Sequence, residues 1–535
     1  MKLLKRSGAF IKKHVCIVAF SVVYLALSFL LYKDFGATYD EKVEYDAGKY
    51  FSAYLSTPTT LENTDKLINN RSENIKYYHQ LPLFSTYSRV YPALLNILNP
   101  SFYFEWFHLQ NLILGLFLFI FSYAILYLIY GDGSRAVVGP ILLFLTPVVT
   151  GHIPANPKDI PFATIFLFGI FLISYFLKNP KSKSVEILML GVVFGIAQST
   201  RVVGFSLFAT YFLLSLFQTV SKKERVAETL LNSTIILMLS FFIWVLSVPF
   251  LGANFLANLI YIVTETAGFQ TWNHEILYMG KFLSKEERPW HYLPVLLSIQ
   301  IPLTILFSLA SGVFLVIRKK LRYNISHPVF VITTIVLINF IIYFALRPVI
   351  YNGIRHFLYL AVSLVVLASF FLIDLYDSLK REHKFILWGA VSAYLLFTLI
   401  RMLRLHPYEY VYYNEFIGGL RGANKKFELD YWGAAYKESA LRVLGVVKQN
   451  SIKDLKVYAC DNQFAVVYYS QFQYELVGRS RDADIIICDT FKEQLREKTE
   501  DAAYQTTFPV VFEIKREGTP IHVVRARQRF SVLFD

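Results

Sequence analysis

The feature that most constrains the fold of this chain is a series of apolar runs, each close to the length that crosses a lipid bilayer. Eleven runs can be placed, near residues 15–32, 109–130, 136–150, 161–177, 185–200, 203–219, 230–250, 292–317, 328–346, 356–376 and 385–402. Inside lipid, a helix satisfies its own backbone polar groups, and about 20 apolar residues are enough to cross the hydrocarbon core. We therefore predict an all-α polytopic membrane protein with about 11 transmembrane helices.

Clusters of Lys and Arg indicate how the spans are oriented. The net charge of +14 could suggest nucleic acid, but the basic residues fall between apolar runs and no nucleic-acid-binding motif is present, so we expect no nucleic-acid partner. With a cytoplasmic N-terminus, the dense clusters at 178–183, 222–225, 318–322 and 380–384 all lie on the cytoplasmic side. We predict a multi-pass protein of a bacterial plasma membrane with its active site facing outward.

This orientation places several connections, and everything after about residue 405, outside the membrane. The connections are 33–108, 151–160, 251–291 and 347–355. Beyond residue 405 the hydropathy falls, and LKVYAC and ADIIIC are typical of short buried strands beside helical stretches such as KESALRVLGVVKQN. FPVVFEIKREGTPIHVVRAR is typical of two strands around a glycine-containing turn. We predict a transmembrane domain at 1–404 and a small extracytoplasmic α/β domain at 405–535.

The three cysteines bear on compartment and cofactors. Cys460 and Cys488 each close a predicted strand. If those strands are parallel neighbours, the thiols could meet, and an extracytoplasmic compartment would permit a disulfide. Cys16 lies within the first span, where it acts as a small apolar side chain. No metal-ligand spacing of Cys and His is present, so we predict no cofactor, while a divalent metal bound by acids of two loops stays open.

An acidic stretch, GATYDEKVEYDAGKYF, begins where the first span leaves the lipid. It contains Asp40, Glu41, Glu44 and Asp46. One interpretation is an amphipathic helix on the membrane surface, whose carboxylates simply face water. The other is a site at lipid depth, where ionised carboxylates are costly and therefore usually functional.

Further polar groups mark the outer ends of other spans. Lys158 and Asp159 lie between two prolines in IPANPKDIPFA, which is either a shaped loop or an ordinary helix start with an acidic first turn. Arg201 follows the fifth span, and Arg355 and His356 open the tenth. These cations either extend to the interface or bind phosphate through the planar guanidinium.

Carboxylates and cations on one face suit the transfer of a sugar from a polyprenyl phosphate. The departing lipid phosphate needs cations, and the attacking hydroxyl needs a carboxylate to take its proton. The candidate catalytic residues are Asp40, Glu41 and Asp159. The candidate phosphate ligands are Lys158, Arg201, Arg355 and His356.

At these residues the sequence resembles the GT-C superfamily of lipid-carrier-dependent glycosyltransferases, especially the branch of protein O-mannosyltransferases and the lipid A aminoarabinose transferase. Asp40-Glu41 is similar to the acidic pair of the first external loop in that branch, and Pro157-Lys158-Asp159 to an element of the second. AQSTRVVG, RPWHYLPVLLSIQIP and GIRHFLYL resemble the ends of later spans, with arginine where the family has lysine in the first of them. The resemblance implies an inverting single displacement with the Asp of the acidic pair as base. It also implies a monosaccharide donor on undecaprenyl or dolichyl phosphate, and a glycan, lipid or protein acceptor.

The aromatic junction at residues 405–438 is the remaining unusual stretch on the outer side. Its tyrosines suit either a membrane interface or stacking on a sugar. We take Glu428, Asp430 and Trp432 as candidate acceptor contacts.

Other function classes stay open. An oligosaccharyltransferase or glycan ligase would use a diphosphate-linked donor on the same scaffold, with Asp40 and Asp159 as possible metal ligands. A transporter or flippase would need ionisable groups inside the spans, where this sequence has few. A non-catalytic scaffold would leave the acidic loop without a role.

Overall fold

The computed structural model describes residues 13–44, 103–179, 183–247, 255–268, 274–319, 324–471, 473–499 and 506–534. Up to residue 405 the described chain is mainly helical. Its helices are α1 Val15–Leu31, α2 Tyr103–Tyr130, α3 Gly133–Ala136, α4 Val138–Phe144, α5 Pro147–His152, α6 Asp159–Lys178, α7 Lys183–Thr200, α8 Phe205–Lys222, α9 Val226–Ser247, α10 Phe255–Gly268, α11 Tyr292–Gln300, α12 Leu303–Lys319, α13 Pro328–Leu346, α14 Leu358–Ser378 and α15 Arg381–Leu405.

The prediction of a polytopic helical membrane protein is confirmed. Within the described residues, seven helices are long and apolar enough to cross a membrane, and an eighth span is present if the bent pair α11–α12 counts as one. The seven are α2, α6, α8, α9, α13, α14 and α15. Shorter apolar helices occupy the other predicted positions, at α1, α3–α4 and α7. Helices thus occupy all eleven predicted positions, and seven or eight of these spans have the full length and apolarity to cross a membrane.

Prolines account for two of the interrupted spans. The third predicted span breaks between α4 and α5, where Pro147 starts the new helix, and the eighth bends by 114° between α11 and α12, next to Pro302. Proline has no backbone N–H and its ring clashes with the preceding turn, so a helix breaks or bends at it. Hydropathy alone does not register this effect.

Helices α6 and α14 form the centre of the bundle. In their apolar windows 78% and 83% of residues are buried, against 22% in α9 and in α15, which turn most of their surface outward. Helix α6 packs against α2, α7 and α14. The first residues of α6 and the turn before α14 carry Asp159 and Arg355. Side chains there start from the most rigid part of the fold.

The chain after residue 405 contains a sheet, as predicted; the sheet has five strands, whereas the sequence indicated four. Strand order is β4-β3-β5-β7-β6, with β3 parallel to β4 and β5, and β7 antiparallel to β5 and β6. Its strands are β3 Lys456–Ala459, β4 Glu475–Leu476, β5 Ile485–Asp489, β6 Val510–Arg516 and β7 Thr519–Ala526; its helices are α16 Gly419–Ala423, α17 Tyr436–Gln449, α18 Gln463–Ser470, α19 Thr490–Thr499 and α20 Gln528–Ser531. A hairpin of β1 Ile276–Tyr278 and β2 Lys281–Leu283 comes from the 251–291 connection.

The two strands that end in cysteine are parallel neighbours. β3 pairs with β5, and Cys460 is bonded to Cys488. The sequence predicted that a disulfide could form if these strands were parallel neighbours, and they are. The domain boundary between residues 404 and 405 stays a prediction.

Arg401, near the C-terminal end of α15, connects the sheet to the helical bundle through ion pairs. Arg401 donates to both carboxylate oxygens of Glu517 at 2.8 Å and to Glu415 at 2.8 Å, and it is nearly buried. Glu517 lies in the tight turn between β6 and β7, where it and Gly518 both have positive φ. Charge-assisted bonds to a planar guanidinium are strong and directional. The hairpin is thus held in one orientation against the membrane helices.

A histidine at the same junction predicts a pH-dependent stability. His406 contacts Glu409 at 2.7 Å and Asp34, beyond the first span, at 3.0 Å. Burial disfavours the charged imidazole, but the two carboxylates outweigh it and raise the pKa of His406 above 6.5. Because the folded state binds this proton more tightly, its stabilisation is complete below about pH 6 and is lost as the pH rises through the raised pKa.

We expect the melting temperature of wild type in detergent to exceed that of His406→Gln most at about pH 6 and least at about pH 9. A difference that stays constant across this range would show that the ring acts only through packing.

Candidate functional site

Glu41 holds the acidic loop in place from inside the protein. Residues 39–44 are helical, and Thr38 N–H donates to Glu41 Oε2 at 2.7 Å, as in a capping box. Glu41 Oε1 lies 2.9 Å from His108 Nε2 of α2, and both side chains are fully buried. Burial raises the pKa of Glu41, and the contacts with His108 and Thr38 oppose the rise. Glu41 therefore points into the protein.

Asp40 points the other way and pairs with Arg355 of the turn before α14. Its side chain is 24% exposed, whereas Glu41, Glu44 and Asp159 are buried. Asp46, which the sequence also offers as a base, lies outside the described residues. Among the described acids of this cluster, Asp40 is thus the one whose carboxylate is partly accessible from outside the protein.

The second outer loop builds a separate ion pair. Asn156 Oδ1 accepts from the backbone N–H of Asp159 at 2.7 Å and of Lys158 at 3.2 Å, which fixes the start of α6. Arg201, at the end of α7, donates to Asp159 Oδ1 from Nε at 2.7 Å and also from Nη2. Asn156 Nδ2 donates to the other oxygen at 3.1 Å. Both oxygens of Asp159 are thus engaged in holding the loop and Arg201.

Members of both acid–cation pairs act electrostatically on Lys158. Burial first and Arg201 second lower the pKa of its ammonium group, while Glu44, Asp159 and Asp40 oppose that shift. The two loops are also tied directly, because Thr38 Oγ1 donates to Ala155 O at 3.0 Å. The charges that act on Lys158 therefore come from two of the predicted outer connections and from Arg201, directly after α7.

Two aromatic faces and Asp40 surround Arg355. Its guanidinium lies 4.9 Å from the ring centre of Tyr351 and 5.4 Å from that of Trp432. Such contacts are attractive and orient the planar cation. His356 is partly exposed and packs edge-on against Tyr351 at 4.6 Å. Of the two residues in this motif, Arg355 is the one that contacts the acidic loop.

The three residues taken as acceptor contacts are all buried. Asp430 accepts from Tyr410 OH and from the backbone N–H of Ala434 (3.2 Å) and Ala435 (3.0 Å), and it also contacts His522. Asp430 therefore fixes the turn that presents Trp432 to Arg355.

Glu428 is buried nearby. It accepts from Leu277 N–H of β1 at 3.3 Å, and burial raises its pKa to about 7. The acceptor role of Glu428, Asp430 and Trp432 stays a prediction.

Sequence reasoning missed His152, which lies at the start of GHIPANPKDIP. It is fully buried, its Nε2 is 3.0 Å from Tyr431 OH, and its ring meets Trp432 edge-on at 4.6 Å. Burial lowers its pKa to about 3, so the imidazole is neutral. The sequence did offer a signal for His152, because it lies at the start of the loop that carries the candidate residues Lys158 and Asp159.

A cavity lies between the loop before α11 and the end of α13. Its walls are lined by basic and aromatic residues, among them Lys285, Arg288, Trp290, Tyr343 and Arg347. Arg288 donates to Ile350 O, in the segment that leads to Arg355. The combination suits an anionic group at a membrane interface.

No group of three or more His, Cys, Asp or Glu side chains is placed to bind a metal ion among the residues that the structure describes. The predicted independence from metals and other cofactors stays a prediction.

Comparisons with known proteins place the fold. No protein-family model and no curated protein sequence matches the chain. Among solved structures it is similar to ArnT from Cupriavidus metallidurans bound to undecaprenyl phosphate, with a TM-score of 0.50 and 12% identity over 96% of this chain and 98% of that one. It is also similar to the oligosaccharyltransferase AglB from Archaeoglobus fulgidus, in complex with an inhibitory peptide and a dolichol-phosphate. That TM-score is 0.45, with 10% identity over 97% of this chain and 75% of that one. The chain therefore shares the overall fold of ArnT, which is the fold that the resemblance to the GT-C superfamily implied.

Proposed function

We propose that this protein transfers a monosaccharide from a polyprenyl phosphate to a hydroxyl group of an acceptor. Asp40 is the base, and Lys158, Arg201 and Arg355 bind the lipid phosphate. The observation that carries the proposal is the pairing of a partly exposed Asp40 with Arg355, next to Lys158 and the Asp159–Arg201 pair. The solved structure of ArnT bound to undecaprenyl phosphate, whose fold this chain shares, supports the class of donor.

The geometry suggests how binding prepares the base. Without donor, Arg355 is the counterion of Asp40. The phosphodiester of the donor carries one negative charge, as a carboxylate does, and its oxygens match the guanidinium fork, so it competes with Asp40 for Arg355. Asp40 then turns toward the acceptor with its lone pairs available.

The transfer is a single displacement. The acceptor oxygen forms a bond to the anomeric carbon while the bond from that carbon to the phosphate oxygen breaks. The hydroxyl proton passes to Asp40, and the electron pair leaves with the polyprenyl phosphate. Lys158, Arg201 and Arg355 stabilise the charge that develops on the leaving oxygen. Attack opposite to the leaving group inverts the anomeric centre.

Two features support a site that faces away from the cytoplasm. The dense Lys and Arg clusters lie at the opposite ends of the spans, as cytoplasmic loops require. The Cys460–Cys488 disulfide, in the domain that packs on the acidic loop, suits an oxidising compartment. We therefore infer an outward-facing site.

The proposal is tested with purified protein and two sets of labelled donors, polyprenyl-phosphate monosaccharides and a polyprenyl-diphosphate oligosaccharide. Release of label from the lipid and binding of the intact lipid are measured separately. We expect cleavage of at least one monophosphate donor. Cleavage of the diphosphate donor alone would indicate an oligosaccharyltransferase. Movement of intact lipid across sealed vesicles without cleavage would indicate a flippase.

A further inference from the structure

We propose that Asn462 of the C-terminal domain is a positioning residue for Asp40. This inference rests on the proposed function of Asp40 as base. It assigns a part in the reaction to the C-terminal domain, none of whose described residues forms an ion pair with Arg201 or Asp159.

Asn462 contacts the acidic loop at two places. Its Nδ2 donates to Ala37 O at 2.9 Å, and its backbone N–H donates to Tyr39 OH at 2.8 Å. The second hydrogen of Nδ2 donates to Gly433 O at 2.9 Å. Asn462 is 4% exposed. Its contacts thus enclose the residues directly before Asp40 and tie them to the turn that carries Trp432.

Other residues of the C-terminal domain also hold residues 33–39 in place. Ala37 N–H donates to Tyr469 OH of α18 at 2.9 Å, and Lys437 Nζ donates to Phe35 O at 2.9 Å. Gly36 approaches Ala434 so closely that a Cβ atom would collide with the carbonyl oxygen. The path of the chain into Asp40 is therefore set by the C-terminal domain as well as by Glu41 and α2.

The chemistry of an amide explains why asparagine suits this position. The two N–H groups reach two carbonyls, while Oδ1 accepts from Ala465 N–H at 3.3 Å and caps α18. Aspartate has nearly the same shape but no N–H, so it would present a carboxylate to Ala37 O and Gly433 O. The pair of variants Asn462→Ala and Asn462→Asp therefore separates lost volume from lost donors.

The disulfide holds the turn that carries Asn462. Cys460, two residues before Asn462, is bonded to Cys488 in β5, and Cys460 N–H donates to Ile487 O at 2.9 Å. The turn that carries Asn462 is thus fastened both covalently and by hydrogen bonding to the central strand of the sheet. Replacement of both cysteines by serine should weaken the position of Asn462 without removing any of its contacts.

The expected effect is on the chemical step. A displacement of a reacting group by about 1 Å can cost about 100-fold in rate. We expect Asn462→Ala and Asn462→Asp to lower kcat by about 100-fold, and the double serine variant by about 10-fold. KM for the donor should change less than about threefold, because Arg355, Lys158 and Arg201 keep their own supports.

The test measures kcat, donor KM and melting temperature for these variants and for Asn450→Ala. Asn450 is an exposed asparagine of the same domain, whose side chain bonds within its own helix, and it should behave as wild type. A variant that keeps the wild-type melting temperature and KM while kcat falls supports positioning. An unchanged kcat in Asn462→Asp, or a kcat that falls only in proportion to the folded fraction, would overturn it.

Tyr39→Phe provides a test that leaves the buried space filled. It removes the hydroxyl that accepts from Asn462 N–H, and we expect kcat to fall about tenfold. Hydrogen exchange of the peptide that covers residues 33–44 gives a readout independent of activity. Asn462→Ala should speed exchange there, and unchanged exchange would contradict the inference. If wild type cleaves no donor, the proposed function fails, while this measurement still decides whether Asn462 holds the loop.

Discussion

Asp40→Asn is expected to lower kcat for sugar transfer by about 1000-fold while donor affinity changes little, because a positioned general base contributes about 10² to 10⁴ in rate. The amide has nearly the same shape and can still accept a hydrogen bond from Arg355, so the loop should keep its place. It cannot take the proton of the attacking hydroxyl. Single-turnover cleavage of labelled donor, with lipid binding measured in parallel, separates the two effects.

Three further variants provide matched controls. Glu41→Gln alters a buried pair with His108, so it should reduce stability more than kcat. Asp454→Asn changes an exposed acid of the C-terminal domain and should leave both unchanged. Asp40→Glu keeps a carboxylate on a longer side chain and should retain part of the rate. If Asp40→Asn matched wild type, Asp40 would not be the base. A larger loss of kcat in Glu41→Gln would transfer the role to Glu41.

The acidic pair shows how far the sequence could lead. Position after an apolar run identified Asp40 and Glu41 as unusual, because lipid penalises ionised groups whatever the fold. Which of them faces the site depends on His108 and Arg355, which lie 67 and 315 residues away in sequence from the acids they contact. Partners chosen by tertiary packing leave no local signal. The sequence therefore could not show that Glu41 is buried while Asp40 is partly exposed; the structure shows this.

The same distinction holds for the fold. Apolar length and strand patterning predicted the helical bundle and the sheet, since both follow from local rules of burial. The breaks at Pro147 and next to Pro302 were missed because hydropathy averages over a proline. The contact between Asn462 and Ala37 joins residues 425 apart. No short pattern could have connected the C-terminal domain to the acidic loop.

Composition alone was least informative for the aromatic junction. Glu428, Asp430 and Trp432 were selected because acids and aromatics suit a sugar, yet all three are buried. Trp432 packs on Arg355, and Asp430 holds the turn beneath it. The same side-chain types serve a sugar site and the support behind it, and only exposure tells them apart.

Arg201→Ala is expected to destabilise the protein by about 3 to 5 kcal/mol, because it leaves the buried carboxylate of Asp159 without its cation. Asp159→Asn should cost less, since Arg201 is 18% exposed and can turn toward water. The double variant Asp159→Asn/Arg201→Met removes both charges and keeps an apolar stem of similar length. It should recover much of the stability that Arg201→Ala loses. Melting temperatures in detergent measure this series.

Donor affinity measured on the same variants separates the two roles of Arg201. As a phosphate ligand, it contributes a charge that the double variant lacks, so affinity should stay at least about tenfold weaker than wild type after stability has recovered. If stability and affinity recovered together, Arg201 would act only as the counterion of Asp159, and Lys158 and Arg355 would have to bind the phosphate alone. If affinity stayed low while Asp159→Asn alone bound donor more tightly than wild type, the carboxylate and the phosphate would compete for one guanidinium. That competition is the one proposed for Asp40 and Arg355. Both pairs would then be counterion sites that a lipid phosphate occupies when it binds.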